Sequence, residues 1–422
     1  MWYTLCINPG LTGGRVDSMI QRESYMRRIR PFIDGDLVKV LTGIRRSGKS
    51  VMLELIQAEL TARGVPPGQF ISLNFEKMEN AGLCTAEALH GEILRRASGI
   101  QGKVYLFFDE IQEVTDWEKC VNSLRVSLDC DIYLTGSNAK LLSGELATFL
   151  GGRYVEFVIY PFSFSEFSEL YRQYFPDASP ARMFQTYLTV GGMPYLGNLR
   201  YEKEPCMRYL EDLYNSVVLK DVVKRNRVRD VDLLERIISY VMANAGTVFS
   251  ANSVAKFFKS ERRTVSTDTV LNYIRYCKDA WLVYQASRED LRGKQILSMN
   301  EKYYIADHGL REAVFGGNSR DINLVLENIL YMEFLRRGYT VAVGKLGDRE
   351  IDFVCEKRGE KLYVQAAYLL ASEETVRREF GVYEGIKDNF PKYVVSMDEL
   401  DFSRDGIKHR NIREFLTQPD WD

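Results

Sequence analysis

From residue 37 onward, short runs of consecutive apolar residues alternate with longer segments whose apolar residues recur every three or four positions. The first pattern reads as strand buried on both faces, the second as helix covering a sheet. Strands are expected over 37–42, 70–75, 104–108, 131–135 and 154–159, the last closed by Pro161. Helices are expected over 49–60, where Met52, Leu55, Ile56 and Leu60 keep helical spacing, over 85–97 with Thr85 as N-cap, and over 116–128. Strands separated by helices imply a parallel sheet covered on both sides.

Beyond Pro161 the pattern turns helical, with helices expected over 163–174, 182–190 and 206–226. Residues 231–306 read as three short helices followed by strands at 281–286 and 302–306. The remainder reads as a helix over 325–337, strands at 340–343, 351–356 and 361–366, a helix over 373–386 and a strand at 392–396. The expectation is an α/β multidomain chain. It comprises a P-loop domain over 19–162, a helical lid or linker over 163–230, a winged-helix part over 231–310 and a last α/β domain over 311–422. Residues 1–18 are Gly-rich without a period, and read as a disordered lead or as an over-extended start ahead of Met19.

Charge and composition narrow the choices. Lys and Arg number 56 against 58 Asp and Glu, a formal net charge of −2, so no global field favours nucleic acid or membrane. The seven cysteines are scattered without C-x2-C spacing, which argues against a disulfide framework or zinc knuckle. Three histidines leave little for imidazole-based metal or acid–base chemistry. No apolar run approaches the ~20 residues needed to cross a bilayer. A soluble protein of a reducing, cytoplasmic compartment is expected, with no membrane partner.

The strongest chemical signal follows the first strand. Gly43-Ile44-Arg45-Arg46-Ser47-Gly48-Lys49-Ser50 matches G-x-x-x-x-G-K-[ST] between a strand and a helix, and with Val51 forms the expected nucleotide-binding set. The glycines let backbone N–H groups converge on phosphate oxygens at a helix N-terminus. Lys49 can reach the β- and γ-phosphates, and Ser50 can ligate Mg²⁺. The buried run 104–108 then delivers Asp109 and Glu110 at a strand end, where doubly wound sheets place ligands. Asp109 is expected in the Mg²⁺ shell, and Glu110 as the group that orients attacking water. A lone carboxylate would equally suit a kinase; the adjacent Glu favours hydrolysis. After the fourth strand come Ser137 and Asn138, small polar residues suited to sit beside the γ-phosphate. Arg153, in Gly152-Arg153-Tyr154, could stabilise charge on the transferred phosphoryl group, within its own subunit or across an oligomer interface. The plainer alternative for Arg153 is a surface salt bridge.

The stretches LTGIRRSGKSVML, LFFDEIQEVTDWE, YLTGSNAKLLSGE and LGGRYVEFVIYPFSFSEF together resemble the AAA+ ATPases. More narrowly they resemble a prokaryotic group with a C-terminal domain of unknown function, to which YLTVGGMPYL, LYNSVVLKDVV, KYYIADHGLR and GDREIDFVCEK are also similar. The resemblance runs from Met19 to the end. It implies a Walker A lysine at Lys49, Walker B acids at Asp109 and Glu110, and a sensor-type residue at Ser137 or Asn138. ATP and Mg²⁺ are the implied ligands.

In the C-terminal half, helix 265–278 would be the reading helix of the winged-helix part, with Val270, Ile274 and Cys277 inward. Lys256, Lys259, Arg262, Arg263 and Arg275 outnumber Glu261 and Asp268, which suits contact with double-stranded DNA; a protein-binding module is the alternative. The last domain looks like a restriction-endonuclease fold, with Glu327, Asp352 and Gln365 in suitable order. Ala367 stands where a catalytic lysine is expected, so an inactive nuclease fold is expected, kept for binding or assembly. Three functions follow: an ATP-hydrolysing switch, an ATP-tethered binding module that does not hydrolyse, and a Mg²⁺-dependent nuclease.

Overall fold

The computed structural model describes residues 19–139, 151–261, 263–291, 293 and 295–421, with the backbone alone over 295–300. The lead at 1–18 and Arg262 therefore lie outside the described residues.

The first sheet has five parallel strands: β1 (Val38–Thr42), β2 (Phe70–Asn74), β3 (Val104–Asp109), β4 (Cys130–Thr135) and β5 (Tyr154–Val158). They lie side by side in the order β2-β3-β4-β1-β5. Every residue of β1 and of β3 is buried, the apolar run of β3 because both its faces are covered, and Lys39 of β1 because it pairs with Asp131. The register aligns the strand ends: Asn74 lies beside Asp109, Phe108 beside Leu134, and Leu41 beside Thr135. Thr42, Asn74, Asp109 and Thr135 thus share one edge, from which the loop after β1 emerges.

A helical region follows. Phe164–Tyr174 starts on a capping box in which Ser163 and Glu166 satisfy each other's backbone N–H groups. Pro180–Val190 comes next, then Lys203–Ser216, which runs on into a π-helix over Val217–Lys224.

Helices Val231–Ala243, Ala251–Ser260 and Thr267–Asp279 precede a hairpin of β6 (Val283–Asp290) and β7 (Gln295–Ile305). Val270, Ile274 and Cys277 are buried on the third helix. The hairpin does not stand apart as a free wing. It is one side of a seven-stranded mixed sheet with β8 (Thr340–Leu346), β9 (Arg349–Lys357), β10 (Glu360–Ala366), β11 (Lys392–Ser396) and β12 (Lys408–Asn411). Their order is β12-β11-β10-β9-β8-β6-β7, with β6 pairing parallel to β8 across the boundary expected at residue 310. One hydrophobic cluster extends from Ile20 near the start to Trp421 near the end, so the regions share a core.

Candidate nucleotide site

Gly43 leaves β1 at φ 132°, and a Cβ there would stand 2.2 Å from the Ile159 carbonyl oxygen. Only glycine permits that approach. Gly48, at φ 99°, caps the helix Lys49–Ala62 and points its first N–H groups back into the loop. Between them the Lys49 ammonium, 4% exposed, donates to the Gly43 and Ile44 carbonyls, both at 3.0 Å. Burial pulls Lys49 below its ordinary pKa, against the opposing pull of Glu110 and Asp109.

The carboxylates of β3 reach the same place. Asp109 accepts hydrogen bonds from Ser50 (3.1 Å), Thr135 (2.5 Å) and Asn74 (2.6 Å). Burial pushes its carboxyl above the ordinary range; the Thr135 hydrogen bond opposes this, and the nearby Glu110 charge adds to it. Glu110 turns the chain at φ 56°, its N–H donating to Thr135 Oγ1 at 2.8 Å and its carboxylate taking a hydrogen bond from Gln112. One threonine hydroxyl therefore fixes both acids.

Arg22, almost wholly buried, clamps the loop from outside. It donates to the Ser47 carbonyl at 2.9 Å and to Tyr160 O at 2.8 Å, and pairs with Glu166 at 3.0 Å. The donor set suits a triphosphate with a hard divalent cation. The Ser47 hydroxyl is buried without a hydrogen-bond partner, and Ser50 with Asp109 offers adjacent oxygen ligands.

The structure brings together Lys49, Ser50, Asp109, Glu110 and the end of β4, where Ser137 and Asn138 are buried. Arg45 lies in the loop and pairs with Glu76 at 2.9 Å and Asp221 at 3.1 Å. Arg46 has φ 67°, and Val51 is half-buried on the first helical turn. Arg153 is not brought in. It is exposed, and its carbonyl accepts from Val38 N–H at the start of β1, whereas the loop leaves the other end. Five residues of strand separate the two by about 16 Å, so an arginine-finger role would need a second copy of the chain.

Sequence reading passed over Thr135, Asn74, Arg22 and Asp221. The parallel register offered a signal for the first two, because it places them beside Asp109. No local pattern pointed to Arg22, and Asp221 lies within LYNSVVLKDVV, a stretch that carries the resemblance without giving this residue a role.

A second polar cluster lies against the C-terminal sheet and includes Glu327, Asp352 and Gln365. Asp352 accepts from Ala366 N–H at 3.0 Å, and Gln365 donates to Glu379 at 3.0 Å. The position of Ala367 is indeed apolar, but a lysine arrives from elsewhere. Lys302 of β7 sets its ammonium 3.5 Å from Glu327, 3.0 Å from Glu350 and 3.7 Å from Asp352. Its side chain is 5% exposed. Burial and the Asp352 charge push Glu327 up to about 8, opposed by Lys302, and burial pushes Asp352 up to about 6. Among the described residues no group of His, Cys, Asp and Glu is placed to hold a metal ion.

The basic face expected around helix Thr267–Asp279 is diluted. Arg263 pairs with Asp230 and Asp232, and the exposed positions of the helix mix Asp268, Leu271 and Arg275. Among the described residues no helix is long and apolar enough to cross a membrane.

Comparison with known proteins agrees with this geometry. The profile of an AAA domain matches residues 36–168, and that of a domain of unknown function matches residues 181–321. An uncharacterized protein of Haemophilus influenzae is 38% identical over 403 residues, covering 95% of this chain and 99% of its own. One from Methanocaldococcus jannaschii is 29% identical over 370 residues, covering 83% and 79%. Among solved structures, the Walker-type ATPase of Pyrococcus abyssi superposes with a TM-score of 0.50 at 17% identity, covering 71% of this chain and 96% of that one. The likeness is one of fold.

Proposed function

Since the chain belongs to the family of the Haemophilus influenzae protein and carries a P-loop domain of the AAA type, we propose that it binds ATP with Mg²⁺ and hydrolyses it. The observation that carries this reading is the convergence of Lys49, Ser50, Asp109 and Glu110 around one strand edge. Backbone N–H groups of the 43–51 loop and the helix N-terminus would hold the phosphates. Lys49, released from the Gly43 and Ile44 carbonyls, would neutralise charge on the β- and γ-phosphates. Ser50 and Asp109 would hold Mg²⁺, which supplies charge neutralisation on the phosphate oxygens. Glu110, aimed by the Thr135 contact to its N–H, orients and polarises the attacking water. Asn138, buried just beyond β4, would be the second polar group at the γ-phosphate.

The shared core lets the state of this site bear on the helical and C-terminal regions, so the reading extends to a nucleotide-driven switch. The test is phosphate release and nucleotide binding by the purified chain, by Lys49→Ala and by Glu110→Gln. The expected result is no binding for the first, and binding without turnover for the second. Equal phosphate release from all three would end the reading of hydrolysis. Tight binding without turnover by the unaltered chain would favour an ATP-tethered module instead.

A further inference from the structure

The helix that starts at Lys203 is wound as a π-helix over Val217–Lys224. Such a run is rare, and single π turns occur mostly at functional sites. Its buried face carries Val217, Val218, Asp221 and Val222. The valines belong to the main core, and among them sits a carboxylate only 3% exposed. A carboxylate so placed is costly unless charged or polar groups meet it. Two of those that do come from the nucleotide site. Arg45 of the phosphate loop donates from Nε at 3.1 Å, and Ser137 beyond β4 donates at 3.4 Å. Arg225, one turn on, lies at 3.7 Å. Asp221 also bears electrostatically on Lys49. A residue of the helical region thus holds two elements of the loop-and-strand edge, from 176 and 84 positions away.

We propose that Asp221 is a positioning residue of the phosphate site, and that Val217–Lys224 relays its state to the C-terminal half. The inference rests on the reading of an ATP site given above. Asp221 and Glu76 satisfy Arg45, and Asp221 satisfies Ser137. A γ-phosphate competes for both donors. When Arg45 and Ser137 turn to it, Asp221 keeps only Arg225, and the π-helical turn must rearrange to re-pair or hydrate its carboxylate. ADP lacks the competing group, so the contacts return. The same linkage makes the state of the helix act back on nucleotide affinity.

The test compares the full-length chain with Asp221→Asn, Arg45→Gln and the double variant, reading KM for ATP and kcat from phosphate release. Asp221→Asn removes the ion pair with Arg45, leaving Glu76 as its partner, and offers Ser137 a weaker, neutral acceptor, so KM should fall and kcat should fall, each by about fivefold or more. A merely structural loss would not lower KM. Asp221→Glu should restore part of kcat, and Asp221→Asn should no longer lower KM once Arg45→Gln is present. Hydrogen exchange on the unaltered chain is the second measurement: amides of 217–224 should change protection with ATP but not with ADP. Unchanged KM and kcat in a folded Asp221→Asn protein, or identical exchange with both nucleotides, would overturn the inference while the ATP site stands. If the unaltered chain matches Lys49→Ala in binding and turnover, the ATP reading falls and the inference with it.

Discussion

Replacing Lys302 by Met keeps an aliphatic stem of similar length and removes the charge that three carboxylates share. Glu327, Glu350 and Asp352 stand 3.0 to 3.7 Å from the ammonium. At an effective dielectric of about 20, each such pair is worth roughly 5 kcal/mol of gross attraction. Desolvation of the buried charges offsets most of that. Breaking a buried pair by removing one partner costs about 3–5 kcal/mol, because the remaining charges are left uncompensated. The size of the loss should depend on pH. Glu327 is pushed up to about 8 and Asp352 to about 6 with the lysine in place, and both rise further without it. Acids with raised folded-state pKa values favour the native state at low pH, and that contribution is lost as pH rises through the folded values. The Lys302→Met loss should therefore be full near pH 8.5 and fall to about half near pH 6. Urea unfolding of the two proteins at both pH values reads it; with a slope of about 3 kcal/mol per M, the midpoint drops by about 1 M or more at the higher pH. An equal loss at both pH values, or none at pH 8.5, would refute the view that Lys302 is the cluster's cation.

Thr135→Val removes the hydroxyl that donates to Asp109 and accepts from Glu110 N–H, and should cost about 3 kcal/mol by urea unfolding. Turnover should fall more than ATP affinity, and Thr135→Ser should restore both. His308 is buried with Nε2 2.6 Å from the Tyr187 carbonyl, and burial holds its pKa below the usual imidazole value. A depressed imidazole favours the native state above its unfolded pKa, so its contribution should vanish as pH falls below about 6.5. His308→Gln should flatten that limb of a melting-temperature profile taken from pH 5 to 8.

Where pattern and chemistry were local, the chain could be read directly. The runs 104–108 and 131–135 are strands because both faces are covered, and the loop of 43–50 sits where a strand meets a helix. Convergence of Asp109 with Ser50 followed from parallel pairing alone. Other features depend on distant partners. Lys39 looks like a polar break in β1, yet it is wholly buried against Asp131 of the neighbouring strand. Asp221 lies in a segment that reads as an ordinary helix, and only π winding and the fold bring it to the loop. The hairpin strands run longer than their apolar cores suggested, to Asp290 and from Gln295, because pairing with each other supports polar residues. The Lys408–Asn411 strand has no apolar residue to announce it, and forms on the edge offered by β11. The lysine of the C-terminal cluster was sought beside Gln365 and stands on another strand 63 positions earlier, a distance no motif encodes.

Because β6 is hydrogen-bonded both to β7 and to β8, and one core reaches from Ile20 to Trp421, the two halves are not beads on a string. A work stroke that swung the part before residue 310 away from the last domain would have to peel β6 from β8, and one that swung the P-loop domain would have to open the shared core. Movement compatible with a core of this kind is a small slide of packed helices rather than a swing about a hinge. The protein is built less like an arm with an elbow than like a single block, with the helices beneath the phosphate loop and the far sheet resting on one continuous core.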